Sequence, residues 1–431
     1  MKIDKIRQND IEKLLVRLRQ RNSEELEEVS QLVRSIIKEV STKGNRAVFE
    51  YTKKYDGVTL DRLEVDKNTT ANAIKCLKPE LVISIRKAAD NIRKFHERQK
   101  VNSWFLSEEN GVFMGQKVSA LDRVGVYVPG GTAPLPSSVL MNVIPAKVAG
   151  VKEVIMCTPP GKNGFPDPVI LACADIAGAD RVFTVGGAQA VAAMAYGTET
   201  IPKVDKITGP GNIYVATAKK MVFGICGIDM IAGPSEILII ADETANAKFV
   251  AADLLSQAEH DMLASSILIT TSNELAEKVE EEIKKQAEKL SRKNFISRSL
   301  SSYGAIILAD TLKDAIMISN RIAPEHLELC VENPFELLGD VTNAGAVFLG
   351  NFTPEPLGDY MAGPNHVLPT NGTARFYSPL SVDDFLKKTS VISYSKQALA
   401  GIMKDVCLFA EAEGLTAHAN SAKIRFEEEN K

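Results

Sequence analysis

From residue 124 onward the chain repeats one local pattern: a short apolar run, a turn rich in glycine and proline, then a helix-like stretch. Residues 124–128 lead into Pro129-Gly130-Gly131, and residues 153–157 into Pro159-Pro160-Gly161. Residues 181–185 lead into Gly186-Gly187, and residues 206–208 into Gly209-Pro210-Gly211, with a helical stretch over 212–223. Apolar runs of this length separated by helical segments are the mark of βαβ units, whose crossovers place helices on the faces of a parallel sheet. The pattern resumes at 237–240, with further strand candidates at 267–270, 305–308 and 345–349 and helices over 273–290 and 310–320. The fold class expected is therefore α/β with two Rossmann-like parallel-sheet domains. Ligands in such sheets are expected at the carboxyl ends of strands, where the glycines cluster. No turn has the G-x-G-x-x-G spacing, and the second strand of the first unit ends in Cys157-Thr158, with no acid for a ribose hydroxyl. The glycines alone fit a dinucleotide site or simply tight turns.

The flanks read as helical. Ile11, Leu14, Leu15 and Leu18 form one stripe. Ser23 makes an N-cap with Glu25 and Glu27 in the first turn, and Leu26, Val29, Leu32, Val33, Ile36, Ile37 and Val40 continue at helical spacing to Gly44. A third helix is expected over 79–99, with His96 on a solvated basic face. Residues 350–375 form a long Pro-, Gly- and Asn-rich loop that carries Asp359 and His366, and loops of that length are usually functional or disordered. The tail from 377 reads as a small helical region in which Glu413 and His418 stand five apart.

With 51 basic against 55 acidic residues the formal charge is −4, so no global field draws the chain to nucleic acid or anionic lipid. No run approaches the roughly 18 apolar residues of a membrane span, and the charged Met1-Lys2-Ile3-Asp4-Lys5 start lacks a signal peptide's apolar core, so the cytoplasm is the expected compartment. The six cysteines never form a Cys-x-x-Cys pair and read as reduced core residues.

Histidine is scarce, five in 431 residues, and His260, His326, His366 and His418 fall in polar, Gly- or acid-flanked stretches. Gln257 and His260 are three apart at the end of an apolar helix-like segment, so a carboxamide oxygen and an imidazole nitrogen could converge on one ligand or metal ion. Two His, an Asp and a further oxygen would suit zinc, although glutamine is a poor zinc ligand. Glu325-His326 follows Pro324. If Pro324 opens a helix, its dipole would leave His326 neutral and able to accept a proton; the other reading is an ordinary charged helix start.

Taken in order, eight stretches resemble the histidinol dehydrogenase family over nearly the whole chain. They are Tyr127-Val128-Pro129-Gly130-Gly131, Gly209-Pro210-Gly211-Asn212, Ala232-Gly233-Pro234-Ser235-Glu236, Gln257-Ala258-Glu259-His260, Ala323-Pro324-Glu325-His326-Leu327-Glu328, Gly358-Asp359-Tyr360, Gly363-Pro364-Asn365-His366-Val367-Leu368-Pro369 and Glu413-Gly414-Leu415-Thr416-Ala417-His418. The resemblance implies oxidation of L-histidinol to L-histidine through the aldehyde, using two NAD and a water, with one zinc ion per subunit. It implies Gln257, His260, Asp359 and His418 as zinc ligands, which answers the objection to glutamine. Ser235, His326, His366 and Glu413 would join them at the substrate, with Tyr127, Gln189 and Asn212 at NAD. His326 is implied as acid–base and Glu325 as the group that activates water.

It further implies an intertwined homodimer in which the C-terminal segment reaches the partner's site. The domains expected are an N-terminal helical segment (1–23), a larger α/β domain (24–126 and 236–376), a smaller NAD-contacting one (127–235) and a C-terminal helical segment (377–431). Two other classes compete on the residues alone. One is a zinc hydrolase with Glu325 activating metal-bound water, and the other is a two-lobed binding protein that captures an imidazole on a metal without turnover. Neither accounts for the eight stretches in order.

Overall fold

The computed structural model describes residues 3–19, 21, 26–130 and 134–427; Ser23 and Glu25 of the expected cap, and Gly131 of the first glycine turn, lie outside them. The chain divides into two compact units, Met1–Gln99 with Leu121–Phe385, and Lys100–Ala120 with Leu386–Lys431.

The first unit holds both parallel sheets. One has six strands in the order Asp4–Arg7, Ala305–Leu308, Ser265–Thr270, Glu236–Ala241, His326–Cys330 and Ala346–Leu349. All its pairings are parallel. The central strand Glu236-Ile237-Leu238-Ile239-Ile240-Ala241 is buried throughout because both its faces are covered, so it reads as a continuous apolar run. Alternation still decides which layer each residue meets. Ile237, Ile239 and Leu268 pack with the helices Ala247–Ala258 and Asn273–Ala287, while Leu238, Ile240 and Ile269 pack with Ile11–Arg19 and Leu312–Ile322.

The other sheet has five parallel strands in the order Arg181–Thr184, Glu153–Thr158, Arg123–Tyr127, Lys206–Thr208 and Gly227–Ile228. Val33, Val40, Val48 and Tyr51 from helices Leu26–Lys43 and Asn45–Asp56 share one core with Phe183, Val191, Ile207 and Val215.

The second unit is a three-stranded antiparallel sheet, Leu386–Tyr394 beside Val112–Ala120 beside Trp104–Ser107, with helices Lys396–Ala412 and Thr416–Lys423. The tail expected to be helical thus begins with a nine-residue strand. Its partner lies more than 260 positions away in sequence, and local periodicity cannot report such a pairing. Asp4–Arg7 is likewise a strand where a helical pattern was expected, held by its parallel neighbour Ala305–Leu308.

His96 does not lie on a solvated face. It is fully buried, its Nδ1 2.8 Å from the Ile92 carbonyl and its Nε2 3.3 Å from Asn365 Nδ2. Among the cysteines Cys76 is exposed and the other five are buried, all with free thiols. No helix among the described residues is long and apolar enough to cross a membrane.

Candidate active site

Glu325-His326 is not a helix start. Ala323, left-handed at φ +55, and Pro324 turn the chain into the strand His326–Cys330, so His326 is the first strand residue. Its neighbour Glu236–Ala241 likewise begins at this amino edge of the six-stranded sheet. The cluster built here therefore sits at the amino ends of the strands, opposite to the expected carboxyl-end position.

The backbone of Glu236 fixes both candidate catalytic side chains. Its N–H donates to Glu325 Oε2 at 2.9 Å, and His326 Nδ1 lies 2.9 Å from its carbonyl oxygen. A carbonyl only accepts, so Nδ1 carries the proton and Nε2 keeps its lone pair. Nε2 is buried and has no hydrogen-bond partner. Burial, not a helix dipole, keeps the ring neutral, lowering its pKa to about 4 against the opposing pull of Asp359. Burial pushes Glu325 well above the usual carboxylate range, with Glu236, Asp359 and Glu355 adding repulsion. Glu236 is itself anchored by a buried ion pair with Arg21, whose Nε also donates to the Leu18 carbonyl at 3.0 Å.

Two helices bring the remaining groups. Asp253, Gln257 and His260 follow at i, i+4 and i+7 along the end of Ala247–Ala258 and the turn after it, one face of a helix. Glu355 and Asp359 are i, i+4 on the short helix Glu355–Tyr360. His326, Glu355 and Asp359 bring ligand atoms within 4.8 Å of one another. Burial would raise Asp359, but the hydrogen bond from His366 and the nearby His366, His326 and His260 rings hold it down to about 2. His366 Nδ1 stands 3.5 Å from Asp359 Oδ1.

Glu355 goes the other way, to about 9, through burial and the charge of Asp359. Its backbone N–H donates to Glu328 Oε1 at 2.8 Å, and Glu328, bonded to Asp253, is also pushed up by burial. Of the three carboxyl groups Glu328, Glu355 and Asp359, the last is the one held ionised. Gln257, 1% exposed, has neither its Oε1 nor its Nε2 paired. Orphaned buried amide atoms are costly in a native core and are normally satisfied by a ligand, an ion or an ordered water.

Ser235 joins through its carbonyl, which accepts from Ser265 N–H at 3.0 Å, immediately before Glu236. Glu355, Glu328, Asp253 and Arg21 were missed by sequence reasoning. The i, i+4 spacing of Glu355 to Asp359 and of Asp253 to Gln257 was a usable signal; Arg21 gave none. Glu413 and His418 belong to the second unit, where they line an apolar pocket of about 450 Å³ with Phe409 and Leu415.

A second constellation stands at the carboxyl edge of the five-stranded sheet. Strand order reverses between Arg123–Tyr127 and Lys206–Thr208, the switch point at which open α/β sheets leave a crevice. Tyr127 ends one strand and its hydroxyl accepts from Gly187 N–H at 3.1 Å, at the start of helix Gly187–Tyr196 that carries the buried Gln189. The turn Gly209-Pro210-Gly211 ends the other strand, and Asn212 caps helix Ile213–Val222 by accepting from Tyr214 and Val215 N–H.

Gly209 is required: its φ is +114, and a Cβ there would collide with the Tyr127 carbonyl. A buried ion pair of Lys219 and Asp229 grips it from both sides, Asp229 Oδ2 accepting from its N–H and Lys219 Nζ donating to its carbonyl, each at 2.8 Å. Lys219→Met leaves Asp229 buried without its cation and is expected to lower stability by about 3–5 kcal/mol, read by urea denaturation; a loss below about 1 kcal/mol would contradict the clamp.

The histidinol dehydrogenase family profile matches residues 19–426. The chain is 58% identical over 417 residues to the histidinol dehydrogenase of Clostridium acetobutylicum, covering 97% of each, and 55% identical to that of Listeria monocytogenes, covering 94% of each. The crystal structure of histidinol dehydrogenase from Elizabethkingia anophelis superposes with a TM-score of 0.93 at 40% identity, over 100% of this chain and 99% of that one.

Proposed function

The chain belongs to the histidinol dehydrogenase family, which oxidises L-histidinol to L-histidine in the final step of histidine biosynthesis, and on that premise we propose that the amino-edge cluster performs the oxidation. The observation that carries this reading is the single peptide unit of Glu236, which holds Glu325 and a Nδ1-protonated His326 side by side. Alcohol oxidation needs a base to take the hydroxyl proton as hydride leaves the same carbon. His326 Nε2, neutral and unpartnered, is that base, and Glu325, which burial makes a stronger base in its ionised form, draws a proton from the water that hydrates the aldehyde before the second hydride leaves.

NAD is the hydride acceptor in this reading, and Tyr127, Gln189 and Asn212 around the switch-point crevice are the residues that hold it. Asn212 Oδ1 is committed to its helix cap, so its amide N–H₂ group is the part left for the cofactor. Zinc is the metal assigned to Gln257, His260 and Asp359, and when bound it orients the substrate's nitrogens. The donors suit it: Gln257 has unpaired buried amide atoms and Asp359 is held ionised. His366 steadies Asp359, and Ser235 stands where substrate would meet the Glu236 strand.

The fourth ligand, His418, together with Glu413, is assigned to the C-terminal unit of a second copy in a homodimer. Residues 127–235 then carry the cofactor and 236–376 the acid–base and metal groups. The cytoplasm is the compartment proposed.

Mixing metal-replete protein with L-histidinol and excess NAD is expected to yield two NADH and one histidine per histidinol consumed. One NADH with aldehyde accumulating would remove the role given to Glu325, and none from folded protein would overturn the reading.

A further inference from the structure

We propose that Asp56 selects the dinucleotide, its carboxylate accepting hydrogen bonds from the adenosine ribose diol of NAD and turning away the 2′-phosphate of NADP. This rests on the reading of the switch-point crevice as the NAD site. In doubly wound sheets an acid at the end of the second strand holds the ribose hydroxyls. Here that strand, Glu153–Thr158, ends in Cys157-Thr158, and neither is an acid.

The fold brings an acid from elsewhere. Helix Asn45–Asp56 ends on Asp56, and Gly57 stops it in the left-handed conformation at φ +70. The chain then runs over residues 58–60 against the loop that follows Glu153–Thr158. A Cβ on Gly164 of that loop would touch both Val58 and Leu60 at 3.6 Å. Asp56, two residues before Val58, thereby comes near the carboxyl edge of Glu153–Thr158 and of its neighbour Arg123–Tyr127, close enough for its charge to raise the phenol of Tyr127.

One oxygen of Asp56, Oδ2, is buried and has no hydrogen-bond partner. Asp56 is half-buried, and burial pushes its pKa up to about 6. A residue kept there against stability, at the edge where a ribose would lie, has the marks of a binding group. Two ribose hydroxyls supply the missing donors. A 2′-phosphate supplies only acceptors and like charge.

The test is the ratio of kcat/KM for NAD to that for NADP in the wild-type enzyme and in Asp56→Asn, with Asp56→Ser as a second variant should Asn misfold. The wild type is expected to favour NAD by about a hundredfold or more, and the variants to raise KM for NAD about tenfold and cut the preference at least tenfold. KM for L-histidinol stays where it was, and the melting temperature does not fall, as it would if Asp56 were a structural support. An unchanged preference in a folded variant overturns the proposal while leaving the crevice intact as the NAD site. If Tyr127→Phe and Asn212→Ala also leave KM for NAD unmoved, the crevice itself is misassigned, and Asp56 falls with it.

Discussion

Replacing His326 with Asn is expected to lower kcat by about 10³-fold while KM for L-histidinol and the melting temperature change little. Asn keeps one of the two functions of the ring. Its side-chain N–H₂ can still donate to the Glu236 carbonyl, as Nδ1 does at 2.9 Å, but nothing replaces the lone pair on Nε2. Steady-state rates at saturating NAD, beside thermal melts, read both quantities. A loss of less than tenfold would show that the proton leaves by another route.

A pH profile adds a second check. A histidine whose folded pKa is depressed to about 4 is already in its basic form throughout the neutral range. An acid limb near pH 6.5 that is present in the wild type and absent from the variant would mean that the ring titrates as though exposed, contrary to this burial.

Glu325→Gln is expected to separate the two oxidations. Glu325 Oε2 accepts from the Glu236 N–H at 2.9 Å, and the amide oxygen of Gln can keep that bond while the proton-accepting capacity is lost. The first hydride transfer does not call on this group, and the second requires hydrated aldehyde. Single-turnover traces should therefore show the first NADH forming at close to the wild-type rate and the second slowed by 10² to 10⁴, the range usual for removal of a general base. Equal slowing of both steps would sink the assignment.

The sequence made the α/β class legible because strands buried on both faces are continuous apolar runs, as at Glu236–Ala241 and Glu153–Thr158. It could not reveal that Leu386–Tyr394 pairs with Val112–Ala120, since that sheet depends on partners brought together only in the folded chain. The site was half legible. Glu325, His326, Asp359, Gln257 and His260 stood out as polar groups in apolar or glycine-rich settings, but Pro324 suggested a helix where the structure has a strand. A proline suits either beginning, and here the neighbouring strand at Ile237 decides the outcome. Glu328 and Glu355 did not stand out because a carboxylate in sequence carries no sign of its burial, and burial is what sets their protonation.

The bond from Asn365 to Met141 ties the two parallel sheets of the first unit together. Asn365, one residue before His366, donates through its amide to the Met141 carbonyl at 2.6 Å, and the same nitrogen lies 3.3 Å from His96. Met141 belongs to helix Pro136–Ala149, between strands of the five-stranded sheet, whereas His366 serves the six-stranded one. The loop therefore acts as a strut between the two lobes, with His366 beside its anchored end. Parting the two sheets would have to break this buried amide bond, and a donor and acceptor left unpaired in the interior are costly, so the His366 end of the loop is held in register with the helix Pro136–Ala149.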